Sequence, residues 1–142
     1  MNKKAIICDF DGTLSDYKHR EHLRTSDWNS YISLSRKDTL IEQVNDILER
    51  FKDSYTIIIL SARGEKCRVE TEEWLADKNV HYDELILKND EDMRDDCLVK
   101  LDLLRDKILD RFDVYFALDD RSSVAELYRQ NDIFVFQCGN GY

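Results

Sequence analysis

The chain has 142 residues, 42% hydrophobic and 36% charged, which is one domain's worth and enough to bury roughly two-thirds of the surface the unfolded chain would expose. Its apolar residues are too frequent and too regularly spaced for a disordered chain, and its richest apolar run, Tyr55–Leu60, falls far short of the roughly 20 residues of a membrane span. With 21 Lys and Arg against 30 Asp and Glu, a net charge of -9 disfavours coating a long polyanion but leaves room for a local basic site that grips one phosphate.

The start, Met1–Lys4, leads into about four apolar residues before Asp9, too few for a signal-peptide core. Cys8, Cys67, Cys97 and Cys138 form no C-x-x-C pair, so a zinc knuckle and a thioredoxin-type motif are both unsupported. The expectation is a cytoplasmic protein with reduced, semi-buried thiols and no membrane partner.

In chain order, Lys4–Cys8 predicts a first strand. Residues 15–37 are left over as a small lid. Thr39–Phe51 carries Leu40, Ile41, Val44, Ile47, Leu48 and Phe51 at helical intervals, and Thr39-Leu-Ile-Glu42 reads as a capping box opening that helix. Tyr55–Leu60 predicts a second strand, Arg68–Lys78 a helix and Glu84–Leu87 a third strand. Asp95–Leu109 predicts a helix with Leu98, Leu101, Leu104 and Ile108 on its inner side. Val114–Leu118, a helix opened by Ser123-Val-Ala-Glu126, and Ile133–Gln137 complete the pattern. Strand alternating with helix reads as a doubly wound, Rossmann-like α/β fold, with a parallel sheet of about five strands in one domain over 1–142.

Ligands of such sheets bind beyond the carboxyl ends of the strands. Four of those ends carry Asp9-Phe-Asp-Gly-Thr13, Ser61-Ala-Arg63, Lys88-Asn-Asp90 and Asp119-Asp120-Arg121. Two aspartates two apart are weak evidence in a chain with 20 of them. An apolar strand running straight into Asp9-Phe-Asp-Gly-Thr-Leu14 is far rarer, and Gly12 allows the tight backbone departure that must follow.

Asp9-Phe-Asp-Gly-Thr-Leu14 resembles the first signature of the haloacid dehalogenase-like phosphohydrolases. The other signatures follow in order: Ser61 after the second strand, Lys100 before the fourth, and Asp119 with Asp120 after it. A closer resemblance is to the 3′-phosphatase half of phage polynucleotide kinase-phosphatases. It rests on Arg20, on Leu60-Ser-Ala-Arg63, on Arg94-Asp-Asp-Cys-Leu-Val-Lys100 and on Ala117-Leu-Asp-Asp-Arg-Ser122. Ala62 stands where that family usually has Gly, and no G-x-x-x-x-G-K-[ST] loop of a kinase half occurs.

The resemblance implies a Mg²⁺-dependent phosphatase with at most a minimal cap. Asp9 would attack phosphorus to form an aspartyl-phosphate, and Asp11 would serve as general acid and then base. Asp9, the Asp11 backbone carbonyl, Asp119 and Asp120 would hold Mg²⁺; Ser61 and Lys100 would brace the phosphoryl oxygens. Thr13, Arg20, Arg63, Arg94 and Asp96 would meet substrate, Asp96 either directly or through an arginine.

Plainer readings stand beside these. Asp119-Asp120 also suits a solvated helix start, Lys100 an exposed helix lysine, Ser61 a turn residue, and Arg20 and Arg94 surface ion pairs. His19, His22 and His81 show no ligand spacing and read as surface residues. In the lid, Tyr17, Trp28 and Tyr31 lie among Lys18, Arg20 and Arg24, a mixture suited to base stacking; Trp28, Tyr31 and Ile32 also suit pinning a short helix to the domain, which is the preferred reading for Trp28.

The expected activity is removal of 3′-phosphate from DNA or RNA ends, contacting only the terminus, with a separate kinase or ligase as a possible partner. The alternatives are a phosphatase of free nucleotides or other small phosphomonoesters and, against the order of signatures, a receiver-like phospho-acceptor domain.

Overall fold

Strands buried on both faces need apolar side chains on both parities, and Ala5-Ile-Ile-Cys8 and Ile57-Ile-Ile-Leu60 supply them. A computed structural model describes residues 2–139; the single-domain reading over 1–142 extends to residue 1 and residues 140–142, which lie outside the described residues. The elements are β1 (Lys3–Cys8), β2 (Ser15–Asp16), α1 (Trp28–Ser33), β3 (Thr39–Leu40), α2 (Glu42–Phe51), β4 (Thr56–Gly64), α3 (Arg68–Asp77), β5 (Glu84–Lys88), α4 (Asp96–Lys107), β6 (Phe112–Asp119), α5 (Ser122–Gln130) and β7 (Val135–Gln137).

Among the described residues, five strands form a parallel sheet in the order β5-β4-β1-β6-β7. The two-residue side-chain period sends Ile6, Cys8, Ile57 and Ile59 to one face, against Val44 and Leu48 of α2 and Trp74 and Leu75 of α3. Ala5, Ile7, Ile58 and Leu60 meet Leu104 of α4 and Val124, Ala125 and Tyr128 of α5 on the other. Strand order reverses between β1 and β6, so the crevice for a ligand lies at the carboxyl ends of those two strands.

The expected doubly wound sheet is present, with local differences. Thr39–Leu40 does not open a helix: it pairs antiparallel with Ser15–Asp16, and α2 starts at Glu42 without a side-chain cap. The Ser123 box is likewise unused; α5 begins one residue earlier, after Arg121. β4 runs on to Gly64, which pairs with Lys88, and Ser61 and Arg63 sit in the irregularity between Leu60 and Gly64. In α4 the buried residues are Val99, Lys100 and Leu104, while Leu98 is 51% exposed. The β2–β3 ribbon is the stalk of a small lid built from two 3₁₀ turns, Lys18–Leu23 and Leu34–Lys37, around α1. The four cysteines are free, and no helix among the described residues is long and apolar enough to cross a membrane.

Candidate active site

Parallel pairing of Cys8 with Leu118 brings the residues after β1 and at the end of β6 side by side, and the Asp9 amide donates to the Leu118 carbonyl at 3.0 Å. Asp9, Asp119 and Asp120 are all buried, and each offers a carboxylate oxygen within 4.8 Å of the others. Gly12 has φ +85°, and a Cβ there would run into the Asp120 carboxylate, so this turn requires glycine. The Thr13 hydroxyl lies 3.1 Å from Asp9 Oδ2 and 3.2 Å from Asp120 Oδ1, and its single proton serves one carboxylate at a time.

Lys100 reaches this floor from α4. Its Nζ donates to Asp9 Oδ1 at 2.8 Å and to Asp119 Oδ2 at 2.9 Å. Burial opposes the ammonium, but the Asp9 and Asp119 carboxylates outweigh it, and its pKa stands well above the usual lysine value. Burial and the charge of Asp9 push Asp119 up to about 6, with Lys100 pulling the other way, and push Asp120 up to about 7. Negative charge therefore exceeds what Lys100 neutralises. A compact set of hard, anionic oxygens with surplus charge fits Mg²⁺, which Asp9, Asp119 and Asp120 could hold.

Asp11 lines the same cavity but has different partners. Arg63 grips it with Nε to Oδ2 and Nη2 to Oδ1, both at 2.8 Å, and Arg20 Nη2 adds a third bond to Oδ1 at 3.0 Å. Burial alone would raise this carboxyl; the two guanidinium groups overcome it and hold Asp11 below its ordinary value. With its side chain committed there, only the Asp11 main-chain carbonyl is left for a cation.

Arg20 is buried rather than at the surface. It forks onto Asp38, Nε to Oδ1 at 2.8 Å and Nη2 to Oδ2 at 2.7 Å, and its guanidinium carbon sits 4.4 Å from the Tyr31 ring centre. His19 Nε2 completes the cluster 2.8 Å from Asp38 Oδ1. Asp38 and His19 are the members that sequence reasoning missed. The Arg20 match marked half of this buried pair, but no spacing or motif points to Asp38.

The remaining sequence-predicted residues divide. Ser61 is buried; its Oγ accepts from the Arg63 amide at 3.1 Å, and its side chain lines the same cavity as Asp9 and Lys100. Asp96 also lines that cavity and accepts from Arg121 Nη1 at 2.7 Å, an arginine whose own amide donates to Asp119 Oδ1. Arg94 stands apart, exposed and paired with Asp92 and Asp102. Trp28 does not pin α1 to the domain: it is 53% exposed, at the cavity of about 300 Å³ above the floor.

The family profile described as "Polynucleotide kinase PNKP phosphatase domain" matches residues 3–142. Among solved structures, the chain is 34% identical to one in a Pnkp1/Rnl/Hen1 complex, with a TM-score of 0.86 over 99% of this chain and 47% of that one. A Pnkp1/Rnl/Hen1 RNA repair complex matches at 34% identity and a TM-score of 0.87, over 99% of this chain and 43% of its counterpart. The chain thus spans less than half the length of these two relatives. A haloacid dehalogenase-like hydrolase from Streptococcus pneumoniae, 15% identical with a TM-score of 0.63 over 96% of this chain and 84% of its own, shares the fold. None of the curated proteins matches. This chain belongs to the phosphatase-domain family of polynucleotide kinase-phosphatases, within the haloacid dehalogenase-like hydrolases.

Proposed function

We propose that this haloacid dehalogenase-like phosphatase removes 3′-phosphate from polynucleotide ends, RNA ends foremost, with Asp9 as nucleophile. The observation that carries the reading is the position of Asp9: a buried carboxylate braced by Lys100, beside a metal-ready acidic pair and open to a cavity that also holds arginine donors. The preference for RNA, and a ligase as partner, rest on the likeness to chains of the Pnkp1/Rnl/Hen1 RNA repair complex.

Bound at Asp9, Asp119 and Asp120, Mg²⁺ would offset the repulsion between the nucleophile and a phosphate dianion. The chain's own groups do the rest. An Asp9 oxygen forms a bond to phosphorus as the bond from phosphorus to the 3′-oxygen breaks. Asp11 gives its proton to the departing alkoxide, then takes one from the water that attacks the aspartyl-phosphate and releases inorganic phosphate. Lys100 stays charged and swings its donors between Asp9 and the phosphoryl oxygens, and the Ser61 hydroxyl braces a third oxygen.

Asp11 needs a proton for the first step, yet Arg63 and Arg20 favour its ionised form. A phosphate in the cavity competes for the same guanidinium donors, and loosening that grip is what lets Asp11 take up the proton. The test is phosphate release from matched 3′-phosphate and 5′-phosphate oligonucleotides, with Mg²⁺ and with chelator. The 3′-substrate is turned over at least about a hundredfold faster, and Asp9→Asn loses about a thousandfold or more. Equal rates on the two ends, or an active Asp9→Asn, would overturn the proposal.

A further inference from the structure

We infer that Trp28 is a stacking platform for the nucleobase of the terminal nucleotide, so that the lid selects a base-bearing end rather than a bare phosphomonoester. This rests on the function proposed above. Large apolar side chains that stay in water ask for a reason when they line a cavity. Of the exposed large hydrophobics, Trp28 at 53% and Met93 at 83% are the two whose side chains line the cavity shared by Asp9 and Lys100.

Trp28 is also held in place from behind. Its ring stacks on Tyr31, centroids 5.2 Å apart and planes 28° from parallel. Tyr31 is buried; the Arg20 guanidinium covers its ring at 4.4 Å, and Arg20 Nη1 donates to its carbonyl at 3.3 Å. Arg20 in turn is fixed by buried Asp38. The column Trp28–Tyr31–Arg20–Asp38 therefore runs from the cavity mouth to the ion-pair cluster that grips Asp11, with one side of the Trp28 ring system backed by protein and much of it left in water. An aromatic ring fixed in that way is suited to a flat, π-bearing group.

A nucleobase is the flat group that a 3′-phosphorylated end carries within one nucleoside of its phosphate. A cavity of about 300 Å³ is at the small end of ligand pockets and suits one nucleotide rather than a longer stretch. Lys66, Lys88 and Arg24 on its walls supply cations for the preceding backbone phosphate while the chain as a whole remains acidic. Three carbons of sugar separate the chemistry from the base, so binding at Trp28 positions substrate without touching the reacting atoms.

The experiment compares wild type, Trp28→Ala and Trp28→Phe on two oligonucleotides, one ending in a normal 3′-phosphorylated nucleotide and one whose terminal residue is abasic. Trp28→Ala raises KM on the base-bearing end about tenfold and leaves kcat within about twofold, Trp28→Phe recovers most of the loss, and all three chains have the same KM on the abasic end. Trp28 fluorescence gives a second readout. In an Asp9→Asn background, titration with the base-bearing oligonucleotide quenches emission, and that quench disappears in Trp28→Ala, since Trp74 is buried against Phe10. If wild type hydrolyses the base-bearing end and Trp28→Ala matches its KM, the platform is refuted and the phosphatase reading stands. If wild type hydrolyses neither oligonucleotide, both readings fall together.

Discussion

Asp9 and Asp11 are two positions apart in the chain, yet they belong to different halves of the site. The floor, made of Asp9, Lys100, Asp119 and Asp120, carries three carboxylates against the ammonium of Lys100. The lid side, made of Asp11, Arg20, Arg63 and Asp38, pairs two carboxylates with two guanidinium groups. The floor is electrostatically unfinished and the lid side is self-satisfied. A cation would therefore be drawn to the floor, whereas an anionic substrate would have to displace contacts on the lid side before using them. Strand alternation would send residues two apart the same way, but β1 ends at Cys8 and the chain turns at Gly12 with φ +85°, so Asp9 meets Lys100 while Asp11 meets Arg20 and Arg63.

Substituting Lys100 breaks this comparison most severely. Lys100→Met leaves buried carboxylates with no internal counter-charge, and removing one partner of a buried ion pair costs about 3–5 kcal/mol. Tm in the absence of Mg²⁺ falls by about 10 °C, and kcat measured with Mg²⁺ drops by about 10²–10³-fold, the scale of a lost transition-state donor. Added Mg²⁺ supplies part of the missing charge, so it raises the variant's Tm by more than it raises that of wild type. A thermal melt series with and without the ion checks this, and an equal Mg²⁺ gain in both chains would remove the cation from the floor.

Asp38→Asn affects the other half. Arg20 keeps its burial and its bond to Asp11 but loses its buried, forked counter-ion, at about 3 kcal/mol, and the Asp11–Arg63 clamp loses its backing. The expected loss in kcat/KM is about 10–100-fold, with the Mg²⁺-induced gain in Tm unchanged. His19→Ala, which removes a half-exposed partner of Asp38, costs less than threefold. If Asp38→Asn also abolished the Mg²⁺ gain, the two halves would be one electrostatic unit and the comparison would fail.

The floor was legible in the sequence because each member follows or faces a strand whose apolar run is plain, and the sheet does the assembling. Asp38 was not legible. It follows the polar run Ser35-Arg-Lys, and its burial depends on Arg20, which reaches it only after the lid folds back. Thr39 shows tertiary context overriding a local signal: the capping residues were taken into the ribbon with Ser15 and Asp16. α4 was read with its face turned too far toward Leu98, because Lys100 occupies a buried position that a periodicity count reserves for apolar residues. A functional lysine on an inner face breaks the pattern used to find that face, just where the site needs it.

Arg94→Ala has the smallest expected effect and sharpens the boundary of the lid side. Arg94 donates to Asp92 at 2.8 Å and lies 2.8 Å from Asp102, with side chains half in water, so solvent screens most of the attraction. The bonds from Arg94 lower the Asp92 carboxyl to about 2, in keeping with a local ion pair at this exposed position. Stability should change by less than about 0.5 kcal/mol, and KM for a 3′-phosphorylated oligonucleotide by less than about twofold, well below the loss in Arg63→Ala. A tenfold rise in KM from Arg94→Ala alone would mean that substrate prises the arginine from its carboxylates, and the binding surface would then reach past Asp96 along the start of α4.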